Sequence, residues 1–97
     1  MFVATVETRF EAKNILHIKA VGRWVVWSIK EADRTLRLLK TQNATKAVLD
    51  LSAVESMDTT GGLVIERTLQ SLQKHGISVQ CTGGNKDVRA LIKQVSQ

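Results

Sequence analysis

The sequence predicts an α/β fold of order β-β-α-β-α-β-α, built on a four-stranded mixed sheet. Three features predict it. Segments with apolar residues at every second position alternate with segments whose apolar residues recur at helical spacing. The first two alternating segments are separated by a short polar turn, which favours an antiparallel hairpin. The later strands are each separated by a helix, which favours parallel neighbours joined by right-handed crossovers.

The elements follow in order. Residues 2–10 place Ala4, Val6, Thr8 and Phe10 on one side and Val3, Thr5, Glu7 and Arg9 on the other, as in a half-buried strand. Glu11-Ala12-Lys13-Asn14 reads as the turn. Residues 15–21 form the second strand around His17 and Lys19, and Gly22 is expected to break it. Ser28-Ile29-Lys30-Glu31 fits a capping box, in which hydroxyl and carboxylate satisfy the orphan N–H groups of a helix start. A helix of about a dozen residues is expected to follow, the common length in globular proteins, ending near Gln42-Asn43. Its buried stripe is Ile29, Ala32, Leu36 and Leu39, and its outer stripe is the basic set Lys30, Arg34 and Arg37. Residues 46–51 are nearly continuous in apolar side chains, as in a strand buried on both faces, and residues 52–57 are expected to be a loop. A second helix is predicted from Thr60 to His75, with Ile65, Leu69 and Leu72 inward and Gly76 closing it. Ile77, Val79 and Cys81 alternate with Ser78 and Gln80 in a fourth strand, which assigns Cys81 to the core. Gly83-Gly84 turns the chain, and Asn85 caps a third helix with Val88, Leu91, Ile92 and Val95 inward.

Composition narrows the function. The 97 residues suffice for one domain, residues 1–97, and 43% hydrophobic with 24% charged residues argues against disorder. No apolar run is long enough for a transmembrane helix, and the start MFVATVETRFEAK lacks the basic and apolar regions of a signal peptide, so a cytoplasmic location is expected. The single cysteine, Cys81, excludes an internal disulfide, and neither a metal site nor a cofactor is expected. No Gly-Lys-Ser/Thr phosphate loop occurs. Asp50 and Asp58 flank a loop, but no histidine or second cysteine joins them, so no catalytic residues are assigned. His17 and His75 fall on separate elements and read as structural. The net charge of +5 sits in residues 1–46, which suits a solvated face or an anionic membrane surface. Nucleic acid is not an expected partner, because the only aromatics are Phe2, Phe10, Trp24 and Trp27 and no reader motif is present. Of the two tryptophans between the second strand and the first helix, one is expected in the core and the other as an interface anchor.

The most informative segment is Leu49-Asp50-Leu51-Ser52-Ala53-Val54-Glu55-Ser56-Met57-Asp58-Thr59-Thr60-Gly61-Gly62. A buried strand leads into a polar loop, and the loop ends at a helix start that carries two threonines and two glycines. The first helical N–H groups lack internal partners and bear partial positive charge. Two uses fit: plain capping by a threonine, or acceptance of an anion or of a partner's carboxylate or carbonyl.

The run Asp50-Leu51-Ser52 … Met57-Asp58-Thr59-Thr60-Gly61 resembles the signature of the STAS domain (sulphate transporter and anti-sigma factor antagonist), in which an apolar strand ends in Asp-Leu-Ser and an Asp-Ser/Thr-small-Gly element opens the next helix. The resemblance extends over most of the chain, through Gly76-Ile77-Ser78-Val79 and the last helix. The Gly22-Arg23-Trp24 element resembles the variant found in bacterial Mla-type (maintenance of lipid asymmetry) transporters, where the domain is a free subunit or the N-terminal extension of the permease. The resemblance implies helices on one face of the sheet and a non-enzymatic docking module. Its implied partners are an ABC ATPase subunit or permease, or alternatively a kinase anti-sigma factor that phosphorylates Thr59. By the resemblance Thr59 matches the phosphorylatable or partner-contacting hydroxyl, Asp58 the acid before it and Gly61 the helix-start glycine, with Thr60 between them; docking through that end would make Arg67 and Gln70, on the outward face of the helix, neighbours in the contact. Thr60 is bulkier than the usual residue there, and Gly62 stands where a larger apolar residue is common.

Overall fold

A computed structural model describes residues 3–12 and 14–96, with β1 (Thr5–Glu11), β2 (Ile15–Trp24), α1 (Lys30–Arg37), β3 (Lys46–Met57), α2 (Thr59–Lys74), β4 (Ser78–Thr82) and α3 (Lys86–Val95). Phe2 and Lys13, assigned above to the first strand and its turn, lie outside the described residues. The sheet order is β1-β2-β3-β4. β1 runs antiparallel to β2, whereas β2, β3 and β4 are mutually parallel. The predicted mixed sheet is therefore present.

The helices share one face for a topological reason. Crossovers between parallel strands are right-handed as a rule, and the strands β2, β3 and β4 step in one direction across the sheet, which puts α1 and α2 on the same side. That face holds Leu16, Ile18, Ala20 and Trp24 of β2 and Ala47, Leu49 and Leu51 of β3, all buried. Ile65 and Leu72 of α2 and Val88 of α3 complete the core from above. The other face is open: Lys19 and Arg23 are exposed, and Val48 and Asp50 are only half-buried. This corrects the expectation that residues 46–51 are buried on both faces. An apolar run resembles a doubly covered strand, but here only alternate residues are covered.

Two further expectations change together. Gly22 does not end the second strand. It is buried within β2 at φ 93°, a left-handed conformation open to glycine, and β2 continues to Trp24. This extra length gives residues 52–57 a partner, so the expected loop is strand: Val21 pairs with Ala53, Gly22 with Val54, Arg23 with Ser56 and Trp24 with Met57. β3 advances further than β2 between Lys19/Asp50 and Val21/Ala53, and again between Gly22/Val54 and Arg23/Ser56. These are bulges in β3. The first changes which side chains face inward, from Ala47, Leu49 and Leu51 to Val54. It also explains Asp-Leu-Ser: the Ser52 N–H donates to Asp50 Oδ1 at 2.9 Å.

The first helix is shorter than expected, because α1 covers only Lys30–Arg37 and Leu38 caps it. No capping box forms. Ser28 Oγ donates instead to the Arg23 carbonyl at 2.7 Å, closing the turn after β2, and Ile29 occupies the cap position without a side-chain hydrogen bond. The buried stripe of Ile29, Ala32 and Leu36 and the exposed basic stripe are as predicted. Gly76 closes α2 at φ 79°, with the Ile77 N–H donating to the Leu72 carbonyl at 3.0 Å. Cys81 is exposed on the edge strand rather than in the core, although burial of part of its surroundings still pushes the thiol pKa up, with Glu66 adding to the rise. An edge strand has a neighbour on one side only, so even its helix-facing residues keep solvent contact.

Candidate functional site

β3, an interior strand of the sheet, delivers the chain directly to the start of α2. Asp58 lies between them with extended backbone and organises the junction with both carboxylate oxygens. Oδ1 accepts from the Gly61 N–H at 3.0 Å, which is the helix cap, and Oδ2 accepts from the Val26 N–H at 2.8 Å. The second bond fastens the turn after β2 to the start of α2. A backbone bond reinforces it, from the Asp58 N–H to the Trp24 carbonyl at 3.2 Å.

Gly61 lets these segments approach. A Cβ at this position would stand 1.9 Å from the Trp24 carbonyl oxygen and 2.8 Å from its carbon, both backbone atoms that cannot swing aside. Gly62 faces a different neighbour. A Cβ there would meet Leu91 and Val95 of α3 at 3.5 Å, an ordinary contact distance. The two glycines thus have distinct roles, one obligatory against β2 and one leaving modest room beneath α3. The side chain expected by the family pattern at position 62 would compete with Leu91 and Val95 for that space.

Above this base the helix start is open. Thr59 is exposed at the first helical position, and Thr60 is half-buried. Cap and helix N–H groups are oriented by Asp58, so the Thr59 hydroxyl is not consumed as the cap; of the two readings of the threonines, plain capping belongs to the aspartate. Four residues on, Leu63 is 52% exposed, an apolar side chain held outward. Arg67 and Gln70 continue the same stripe at helical spacing. Both already have partners: Arg67 forms an ion pair with Asp33 of α1, and Gln70 donates to Glu66 at 3.1 Å. Arg67 is also eight positions from Thr59, about 12 Å along the helix. Leu63 was not singled out from sequence, although its spacing midway between Thr59 and Arg67 marks the outward stripe.

The other clusters among the described residues are held by internal partners. A concavity of about 350 Å³ between α1 and α2 is lined by Leu36, Arg37, Arg67, Thr68 and Ser71, but Thr68 donates its hydroxyl to Val64 and both arginines share Asp33. Among the described residues no group of His, Cys, Asp and Glu could hold a metal ion, and no helix is long and apolar enough to cross a membrane. His17 pairs with Glu11 across the β1–β2 hairpin, and His75 Nδ1 lies 2.8 Å from the Ser71 carbonyl. On the open face, hydrogen bonds from the Ser52 side chain and then the Ser52 N–H hold the Asp50 carboxyl below its usual pKa, with Lys19 and His17 adding smaller effects.

Comparison with known proteins agrees with this architecture. The sequence profile of the STAS domain matches residues 25–96, so the chain belongs to the STAS domain family. The solved structures it resembles include an antisigma-factor antagonist STAS domain from Rhodobacter sphaeroides, with a TM-score of 0.71 and 12% identity over 84% of this chain and 87% of that one. The unphosphorylated anti-sigma factor antagonist SpoIIAA gives 0.71 and 10% identity, covering 94% of this chain and 80% of that one. The murine anion transporter Slc26a9 gives 0.70 and 9% identity over 97% of this chain and 18% of the transporter. At these identities the likeness is one of fold, and it spans both regulators and transporters. No curated protein sequence matches the chain significantly.

Proposed function

We propose that this chain is a non-enzymatic docking module of a bacterial ABC-type phospholipid transporter, binding and regulating the ATPase subunit through the start of α2. It would act as a free subunit or as the N-terminal domain of the permease, on the cytoplasmic side of the inner membrane. The carrying observation is the construction of the tip. Asp58 and Gly61 fix it from below against β2, while Thr59 and Leu63 remain exposed, the Thr59 side chain making no hydrogen bond among the described residues. A preorganised surface of this kind loses little entropy on binding. Leu63 supplies an apolar contact, and the Thr59 hydroxyl and helix-end N–H groups supply polar ones. The Gly22-Arg23-Trp24 resemblance supports the transporter branch, and Arg67 and Gln70 would join the contact by exchanging their present partners.

The test is titration of the chain with the lipid-transporter ATPase of the same genome. Binding is expected, with Thr59→Glu or Leu63→Asp weakening it at least ~tenfold, as for a central interface residue. Full binding by both variants would remove the α2 start from the interface. A second reading, an anti-sigma factor antagonist switched at Thr59, is favoured by the exposure of that residue at a helix N-terminus, where phosphate is electrostatically welcome. Transfer of phosphate from ATP to Thr59 by an anti-sigma kinase, without ATPase binding, would establish it.

A further inference from the structure

The turn after β2 and the outer side of α1 carry a feature that docking at α2 does not use. Trp27 is 93% exposed, and Leu38, the residue capping the other end of α1, is 69% exposed. Val26 beside Trp27 is also exposed. Trp27 is not at the end of a loose loop. Val26 N–H donates to Asp58 at 2.8 Å, Ser28 N–H to the Val25 carbonyl at 2.9 Å, Ser28 Oγ to the Arg23 carbonyl at 2.7 Å and Ala4 N–H to the Ser28 carbonyl at 3.3 Å. A large indole held in water on a turn anchored at Val26 and Ser28 returns nothing to the core, and with exposed Val26 beside it forms an apolar patch suited to a surface outside the chain.

The cations around it indicate what that use is. Lys30, Arg34 and Leu38 form an i, i+4, i+8 row on α1, and Trp27 precedes Lys30 by three positions. Lys30 and Arg34 are exposed and form no ion pair among the described residues. Residues 23–40 contain Arg23, Lys30, Arg34, Arg37 and Lys40 against Glu31 and Asp33, a net +3, and Asp33 is taken up by Arg37 and Arg67. An indole prefers the boundary between hydrocarbon and water, and exposed cations prefer anionic headgroups. We propose that this face, with Trp27 and Leu38 as apolar anchors and Lys30 and Arg34 between them, binds the surface of an anionic phospholipid bilayer. The α2 stripe differs: Leu63 is followed by Glu66 and Arg67, whose charges cancel, so it offers nothing specific to anionic lipid. The inference goes beyond the docking reading and uses a different helix.

The experiment is co-sedimentation of the 97-residue chain with vesicles of phosphatidylcholine alone or with roughly 30% phosphatidylglycerol, an anionic fraction high enough to set a surface potential. Tryptophan emission is read in parallel, with the Trp27→Phe spectrum subtracted so that buried Trp24 does not contribute. Binding and a blue shift of Trp27 are expected only with phosphatidylglycerol, weakening with added salt. Trp27→Ala should reduce partitioning ~tenfold, and Lys30→Gln with Arg34→Gln by ~30-fold, the product expected for two cations at a charged surface. These changes are at exposed sites, and an unaltered thermal melt confirms the fold. Retention of ATPase binding by Trp27→Ala would separate this face from α2. Equal binding to neutral vesicles, no binding to either, or a Trp27 shift produced by the ATPase subunit without lipid would each overturn the proposal, the last by assigning the indole to a protein contact.

Discussion

Helices α2 and α3 open with the same hydrogen bond. Asp58 Oδ1 accepts from the Gly61 N–H at 3.0 Å, and Asn85 Oδ1 accepts from the Val88 N–H at 2.9 Å. The surroundings then diverge. The second oxygen of Asp58 holds the turn after β2, and Gly61 presses that helix onto the Trp24 backbone. Among the described residues Asn85 makes no such second side-chain bond, and Val88 simply buries its side chain. A cap alone therefore does not distinguish a docking tip from an ordinary helix start. What distinguishes α2 is a start fastened to a neighbouring strand, with polar and apolar side chains left facing outward.

Gly61→Ala is the severest way to break this contrast. The added methyl would collide with the Trp24 carbonyl, and the helix start must move, costing about 3 kcal/mol or more by denaturant unfolding, the range of severe overpacking. An alanine tolerated without loss would mean that α2 is not seated on β2. Asp58→Ala should cost about 2 kcal/mol, because it removes the cap and the bond to Val26 together. Asp58→Asn sharpens the point: its carbonyl can still cap Gly61 but its amide cannot accept from Val26, so about half of that loss is expected, with the turn rather than the helix loosened in hydrogen exchange. Asn85→Ala, with one bond at stake, should cost about 1 kcal/mol. If it matches Asp58→Ala, the two starts are energetically alike and the distinction drawn between them fails.

The smallest effects lie away from the obligatory contacts. Gly62→Ala should be nearly neutral or stabilising by up to about 1 kcal/mol, since the methyl meets α3 at ordinary distance and alanine favours a helix. Asp50 gives a pH signature. Its folded pKa lies below its ordinary value, so its stabilisation is present above the ordinary carboxylate range and is lost as pH falls through the folded value. The side chain is solvent-accessible, so the contribution is roughly a few tenths of a kcal/mol. Wild type should exceed Asp50→Asn slightly at neutral pH, and the two should converge in acid unfolding curves.

How far these features could be read in advance depends on the range of the forces involved. The β1–β2 hairpin, the extent of α2, the closing role of Gly76 and the cap at Asn85 follow from alternation, helical period and neighbours a few residues away. Most of the readings that failed depended on distant partners, and the capping box at Ser28 failed to a competing carbonyl five residues away. Gly22 looks like a terminator until β3 is placed beside it, and residues 52–57 look like a loop until the extended β2 supplies their ladder. Ser28 and Glu31 have the spacing of a capping box, but the Arg23 carbonyl competes for the hydroxyl and wins. Cys81 fits a core pattern and is exposed because its strand ended up at the sheet edge.

The tip divides along the same line. Its location between a strand and a helix, and the choice of Asp58, Thr59 and Gly61, are written in the order of residues, because polar caps and glycines act within one turn of helix. That Gly61 is needed for Trp24, that Asp58 reaches Val26, and that Trp24 is buried while Trp27, three positions on, faces water came from packing. Close contact between segments 32 to 37 positions apart has no local period to announce it; it exists once the sheet and helices have assembled.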